Sequence, residues 1–278
     1  MSKNSTNGIV LSDTGVSSTA RLSVIVITKN EQGNIGDCLQ GVDFARERIV
    51  LDCGSSDLTV AIAQSKGAIV RQHLDWPGFG PQKNRALDAA TSQWVLSIDA
   101  DERVTPALAQ EVQAALNHAQ AHGENVAFEL PRLTQFCGVW IKHCGWTPDY
   151  VLRLFQRTDG RFSDDLIHER LLLLDPKTKV RRLKNPLLHF SYASPDQYWK
   201  KLQQYSQAWA AQKHAQGKST TMVHAALSAT SAFVRSYFFR LGFLDGAMGF
   251  AVCTMQAQAA FGKYFELYYL NRQNEKSK

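Results

Sequence analysis

Long apolar runs are missing from this chain. No stretch reaches the roughly 20 uninterrupted apolar residues that cross a bilayer, so a membrane-spanning helix is not expected. No strand-like run is followed by GxGxxG or by a GK[ST] loop, which weakens dinucleotide-binding and P-loop readings. Cysteine is scarce and unpatterned: Cys38, Cys53, Cys137, Cys144 and Cys253 form no CxxC pair. A zinc ribbon is therefore unsupported, and only Cys137 and Cys144 lie close enough in sequence to suggest a metal pair or disulfide. Reduced thiols in a cytoplasmic protein are the expectation. There is no long Lys/Arg block either. The formal net charge of +6 over 278 residues suits nucleotides, phosphorylated glycans or an anionic membrane surface, and nucleic acid is not an expected partner. Residues 1–20 are polar and lack an apolar core. They exclude a secretory signal and predict a disordered tail.

What is present begins with LSVIVIT (Leu22–Thr28), RIVLD (Arg48–Asp52), AIVRQH (Ala68–His73) and WVLSI (Trp94–Ile98). These short β-branched runs read as buried parallel strands. Helical patterns separate them, one capped by the CGSSD turn, one beginning near Gln82 and one opened by Pro106. The alternation predicts an α/β fold with a mostly parallel, doubly wound sheet, whose ligands bind at the carboxyl ends of strands. The polar clusters KNE, DCGSSD and DADE all fall at such ends. Three pieces are expected: the tail at 1–20, a domain at 21–192, and a helical, aromatic-rich extension at 193–278, with GKSTT (217–221) as a break within it.

The acidic cluster at the end of the fourth strand needs an explanation, because close carboxylates repel. In an extended chain residues two apart face the same way, so Asp99 and Asp101 can share one ligand. A Mg2+ or Mn2+ ion that also takes phosphate oxygens would suit them. A solvated turn with an Asp capping the next helix is the alternative.

The set VIVITKNEQGNI, VLDCGSSDLT and QKNRALDAATSQWVLSIDADE resembles the nucleotide-sugar domain of the inverting glycosyltransferase family two, with its GT-A fold. The likeness covers Leu22 to about Leu116 closely, and RLFQR and IHE extend it to about Leu171. LGFLDGAMGF and its aromatic tail resemble the bacterial branch that modifies the lipopolysaccharide inner core, which includes glucosyltransferases acting on heptose. The resemblance implies that Asp101 binds a metal bridging the donor diphosphate and that Asp99 contacts ribose or metal. It implies that Asp52 accepts the imide N–H of uracil, and that Thr28, Asn30 and Glu31 line the nucleotide site. Lys83 or Arg85 would face phosphate, with a solvated helix face as the plain alternative for both.

Inverting transfer requires a base for the acceptor hydroxyl and stabilisation of the leaving diphosphate. FSDDLIHER offers Asp164, Asp165, His168 and Glu169; Glu169 is favoured as base, with His168 beside it as metal ligand or acceptor contact. Arg153 reaches a phosphate or pairs at the surface. Trp146 is a sugar-stacking platform or a buried loop residue. KTKVRRLKN (177–185) reads as a basic hairpin, either a solvated edge or a contact for an anionic acceptor or lipid. In the C-terminal segment Arg235 and Arg240 interrupt an aromatic surface, which fits either core packing or a helix lying in the membrane interface. The expected function is transfer of a sugar, glucose from UDP-glucose, to the heptose region of a lipopolysaccharide core at the cytoplasmic face of the inner membrane. A polyprenyl phosphate or peptide acceptor is the alternative enzyme reading, and a basic membrane-binding scaffold the non-enzyme one.

Overall fold

The computed structural model describes residues 21–164 and 169–276. The chain opens with β1 (Leu22–Thr28), α1 (Ile35–Gln40), β2 (Glu47–Asp52), α2 (Thr59–Ser65), β3 (Ile69–Gln72), α3 (Phe79–Ala89) and β4 (Trp94–Ser97). After β5 (Glu102–Val104) and α4 (Pro106–Ala121) come β6 (Val126–Phe136), β7 (Val139–Ile141), β8 (Asp149–Gln156), β9 (Gly160–Phe162), β10 (Leu171–Leu173), β11 (Lys179–Arg182) and β12 (Leu187–Tyr192). The helices α5 (Pro195–Ala215), α6 (Met222–Val234) and α7 (Gly246–Lys276) end the chain.

The architecture is α/β, as expected. The main sheet runs β3-β2-β1-β4-β8-β6-β12-β5, with β7 and β11 also paired to β6. Its β3-β2-β1-β4 half is parallel. β8 enters antiparallel between β4 and β6. The chain leaves β1 for β2 and β3 on one side, then returns to β4 on the other. The carboxyl ends of β1 and β4 therefore flank a topological switch point, where open α/β sheets bind ligands.

The core follows from the pattern. β1 is buried along nearly its whole length because helices cover both faces. On α4, Leu108, Val112, Leu116 and Ala119 form a buried stripe at helical spacing. Pro106 stands in its first turn, and the Thr105 hydroxyl accepts from the Leu108 N–H at 3.2 Å.

Three local expectations change. α3 starts at Phe79 rather than near Gln82; Pro81 falls in its first turn, where backbone N–H groups have no helical acceptor, so it does not delay the helix. The DADE segment leads into a short strand, β5, before α4. The basic 177–185 run is not a hairpin. β11 and β12 both add in parallel to β6, at its start and at its end. An eleven-residue strand is long enough to hold two short partners in line.

Candidate active site

The cleft at the switch point is about 400 Å3 and is lined by Thr28, Lys29, Glu31, Trp76, Phe79 and Asp99, among others. A larger cavity, about 800 Å3, opens at the other end of the strands beside Arg21, Trp94 and Gln156. Among the described residues, none of the expected site residues lines it.

The loops after β1 and β2 form one wall and are tied to each other. Asn30, with a left-handed backbone (φ 57°), donates its N–H to Ser55 Oγ at 2.8 Å and accepts from the Ser56 N–H at 2.8 Å. The Glu31 N–H donates to Thr59 Oγ1 at 2.7 Å. Asn30 Oδ1 is therefore occupied in shaping the loop. Glu31 lies in the cleft wall with Asn34 on its Oε2 at 2.8 Å. Burial raises its pKa, and the Asn34 hydrogen bond only partly opposes that. Asp52 is fully buried at the end of β2. Its Oδ2 accepts from the Gly54 and Ser55 N–H groups at 3.0 Å, and Gln72 approaches the same oxygen at 3.4 Å. Thr28 is buried in this cleft, and its hydroxyl has no hydrogen-bond partner among the described residues. A buried polar atom left in this way is an opening for a ligand contact.

The floor is a charge network. Asp99 meets Lys83 Nζ at 3.0 Å and Arg153 Nη2 at 2.7 Å. Arg153 also reaches the fully buried Glu102 at 3.0 Å, and Lys83 reaches Glu169 at 2.9 Å. Desolvation pushes the Asp99 carboxyl up, but the Arg153 and Lys83 charges outweigh it, and the net shift is strongly downward. For Glu102 desolvation wins, only partly offset by Arg153, and its pKa is raised. Arg153 is held firmly charged, because its two carboxylates outweigh its own burial.

Asp99 and Asp101 do not act as a same-side pair. β4 ends at Ser97, and the Glu102 N–H closes a turn onto the Asp99 carbonyl at 2.9 Å, so strand periodicity no longer applies. Asp99 turns to the two cations, and Asp101 Oδ2 faces His189 Nε2 at 3.4 Å. His189 arrives there through β12, which pairs it with Glu102 on one side and Thr134 on the other. Its Nδ1 lies 3.2 Å from Thr134 Oγ1, which fixes the ring.

Sequence reasoning missed His189. Its only signal was an imidazole in the middle of the LLHFSY strand, more than eighty residues from the acids it joins. Arg153 was placed at a phosphate or at the surface; it is buried instead, because the β4–β8 register carries it to the end of β4 beside Asp99. Lys83 is likewise not on a solvated helix face but 5% exposed. Arg85 pairs with Asp75 at 2.7 Å, away from this network. Asp165 and His168 lie outside the described residues; Asp164 is exposed. Glu169 stands in the network through Lys83.

With this geometry in place, the comparisons identify the chain's relatives. The profile of glycosyl transferase family 2 matches residues 23–161. A lipopolysaccharide core biosynthesis glycosyltransferase, LpsC of Rhizobium meliloti, is 30% identical over 258 residues, covering 89% of this chain and 92% of LpsC. The chain belongs to glycosyl transferase family 2. A further family relative, an uncharacterized glycosyltransferase of Rickettsia bellii, is 28% identical across 92% of this chain and 88% of its own length. Among solved structures, residues 1–349 of S. aureus TarS in complex with UDP superpose with a TM-score of 0.45 at 14% identity, over 91% of this chain and 92% of that one. Mycobacterium tuberculosis glucosyl-3-phosphoglycerate synthase, in complex with Mn2+, UDP and glucosyl-3-phosphoglycerate, gives a TM-score of 0.33 at 26% identity over 41% of this chain and 44% of that one.

Proposed function

We propose that this glycosyltransferase is an inverting enzyme that moves a sugar, glucose from UDP-glucose, onto the heptose region of a lipopolysaccharide core. One observation carries the reading. An unpartnered Thr28 hydroxyl and the Asp99–Lys83–Glu169 network meet at the β1/β4 switch point, beside the Asp101–His189 pair. The acceptor class comes from the LpsC likeness.

A divalent cation fits this donor set. Such ions bind through one or two protein groups and take further oxygens from substrate phosphates and water. Asp101 and His189 would hold it, as Mg2+ or Mn2+. When bound, the ion supplies Lewis-acid stabilisation of the leaving diphosphate. Among the described residues no group of three or more His, Cys, Asp and Glu side chains is placed to hold a metal alone. The diphosphate would complete the shell.

The chain's own residues supply the rest. Asp52 receives the uracil imide N–H, and Thr28 and Glu31 line the nucleotide. Lys83 fixes one oxygen of Glu169, and Glu169 takes the acceptor hydroxyl proton. As the acceptor oxygen bonds to the anomeric carbon, the bond from that carbon to the diphosphate breaks, and its electron pair leaves on UDP. Asp99 positions Lys83 and Arg153 rather than binding metal.

The helical extension would place this site at a membrane. No described helix is by itself long and apolar enough to cross one; the segments 222–239 and 242–273 meet at a 73° bend. Phe238, Phe239, Phe243 and Leu244 are exposed around that bend, with Arg235 and Arg240 in the same segment. Shallow insertion of this surface, assisted by basic side chains, suits an enzyme whose acceptor is anchored in lipid.

Titration of UDP by calorimetry, with and without Mn2+, tests the donor half. Asp101→Asn should remove the Mn2+-dependent gain in UDP affinity while thermal unfolding stays cooperative. Unchanged metal-dependent affinity would reject the assignment.

A further inference from the structure

A third cavity, about 440 Å3, lies between the sheet and the helical extension. It falls within the ~300–1,000 Å3 range of ligand pockets. Its walls come from β6 (Arg132, Thr134), β8 (Asp149), β12 (His189, Tyr192) and the loop bearing Trp146. Tyr198 of α5 and Gln256 of α7 close the far side. His189 is the link to the first site: its Nε2 faces Asp101, and its Nδ1 meets Thr134 within this cavity. The two sites therefore adjoin across one imidazole.

The lining has the chemistry of a sugar seat. Trp146 is half-buried, its ring set edge-on to Phe136 at a centroid distance of 6.0 Å, and it forms part of the cavity wall. An indole face suits the apolar C–H face of a pyranose, while neighbouring polar groups serve its hydroxyls. Asp149 takes both Arg132 contacts, at 2.9 and 2.5 Å, on the single oxygen Oδ2. Its side chain is 40% exposed, so the carboxylate can still accept from a ligand hydroxyl. Arg132 and Asp149 cancel in charge, which favours a neutral, hydroxyl-rich ring over a phosphate. Tyr192 is a weaker platform, because Lys201 already sits 5.0 Å over its ring.

We infer that this cavity seats a pyranose ring of the glycan acceptor, stacked on Trp146 and hydrogen-bonded by Asp149 and Arg132. A ring held there stands next to His189, on the side of the site away from the Thr28 cleft. The helical extension thus completes the acceptor seat as well as meeting the lipid surface. The inference rests on the transferase reading above and names the residues that recognise its acceptor.

The test is binding of a deacylated lipopolysaccharide inner-core oligosaccharide, followed by saturation-transfer NMR, with UDP affinity measured by calorimetry on the same samples. Trp146→Ala should weaken oligosaccharide binding at least tenfold and leave UDP affinity within twofold. Trp146→Phe keeps a ring against Phe136 and should weaken binding by a smaller factor; it is the informative variant if Trp146→Ala fails to fold. Asp149→Asn should weaken oligosaccharide binding and not UDP. Unchanged oligosaccharide binding in both Trp146→Phe and Asp149→Asn would overturn the seat, as would a parallel loss of UDP affinity in folded variants. A wild-type protein that binds UDP but not the oligosaccharide would overturn it too, and would leave the donor site standing. Wild-type protein that fails to bind UDP would instead sink the UDP-sugar donor reading itself.

Discussion

The sheet and the helical extension are both rich in large apolar side chains, yet they dispose of them differently. Leu22, Ile25, Ile49, Leu51, Leu96 and Phe155 are all at most 1% exposed, closed between helices and neighbouring strands. In the extension Phe239 is 79% exposed, Val223 68%, Leu227 63% and Leu244 57%. The extension is nevertheless fixed to the sheet. Val252, Cys253 and Met255 of α7 pack with Phe136, Ile141 and Cys144, and polar ties surround that contact. Asp245 receives the His143 N–H and meets its ring, both at 2.8 Å, and Gln256 donates to the Cys144 carbonyl at 3.2 Å. One face of the extension therefore belongs to the fold and another is left over. Of the two readings for this segment, core packing describes one face, and the other face is exposed. Burial of the sheet's apolar groups is satisfied within the chain; the extension's exposed groups are left uncovered by the described residues.

The contrast can be broken first at the sheet's strand ends. Glu169→Gln should lower transfer by about 100- to 10,000-fold, the range of general-base catalysis, with UDP affinity retained. Single-turnover assays with saturating donor would show it, and a variant of near-normal rate would move the base to another acid. Arg153→Met should be the costliest change in stability. It leaves Asp99 and the fully buried Glu102 without their shared cation, and removing one partner of a buried pair costs about 3–5 kcal/mol. Urea unfolding reads this directly. The same change on the exposed Arg235 should move the midpoint little.

Acid unfolding sharpens the comparison further. The folded pKa of Asp99 lies below its ordinary value of 3.8. Its stabilising contribution is therefore complete above that value and fades as pH falls through the lower folded one. The stability gap between wild type and Asp99→Asn should shrink as pH drops below about 3.8. A gap that stays constant there would contradict the ion-pair account.

Changes in the extension should leave the nucleotide alone. The double variant Phe238→Ser, Phe239→Ser should lose co-sedimentation with anionic vesicles, keep UDP affinity, and shift stability by no more than about 0.5 kcal/mol. A destabilised double variant would show that these rings are core after all. The helix caps, one in each region, compare like with like. Thr105 and Thr221 each accept an N–H from three residues on, at 3.2 and 3.1 Å. Replacing either by Ala should cost about 1 kcal/mol, and only Thr221→Ala should also loosen vesicle binding.

How much of this was legible in the sequence depended on how local each signal was. β1, β2 and β4 could be read because a buried parallel strand writes itself as a continuous β-branched run. Pro106 marked the start of α4 for the same kind of reason. The grouping of acids at strand ends was also readable, since it follows from the alternation of strands and helices. What each acid touches was not. Lys83 joins Asp99 and Glu169, the latter 86 positions away, and no periodicity encodes that meeting. His189 and Arg153 reach the site through strand register, which is set by the whole sheet rather than by their neighbours in sequence. The supposed hairpin at 177–185 failed similarly: its residues suit an edge strand, but its partner is the distant β6.

Gly80 carries a consequence for anyone surveying variants of this protein. A methyl group at that position would come within 1.8 Å of the Ser163 carbonyl oxygen and 3.6 Å of Glu169 Cβ. The helix that carries Lys83 thus meets the backbone of Ser163 directly, with Glu169 beside it and no room for a side chain between them. Even Gly80→Ala would wedge them apart and separate an ion pair it does not belong to. In an activity screen such a variant would pass for the loss of a reacting group, although Gly80 has no side chain to react. An intact UDP affinity beside a lost rate would then report a spacing, and the residue to repair would be the neighbour rather than the chemistry.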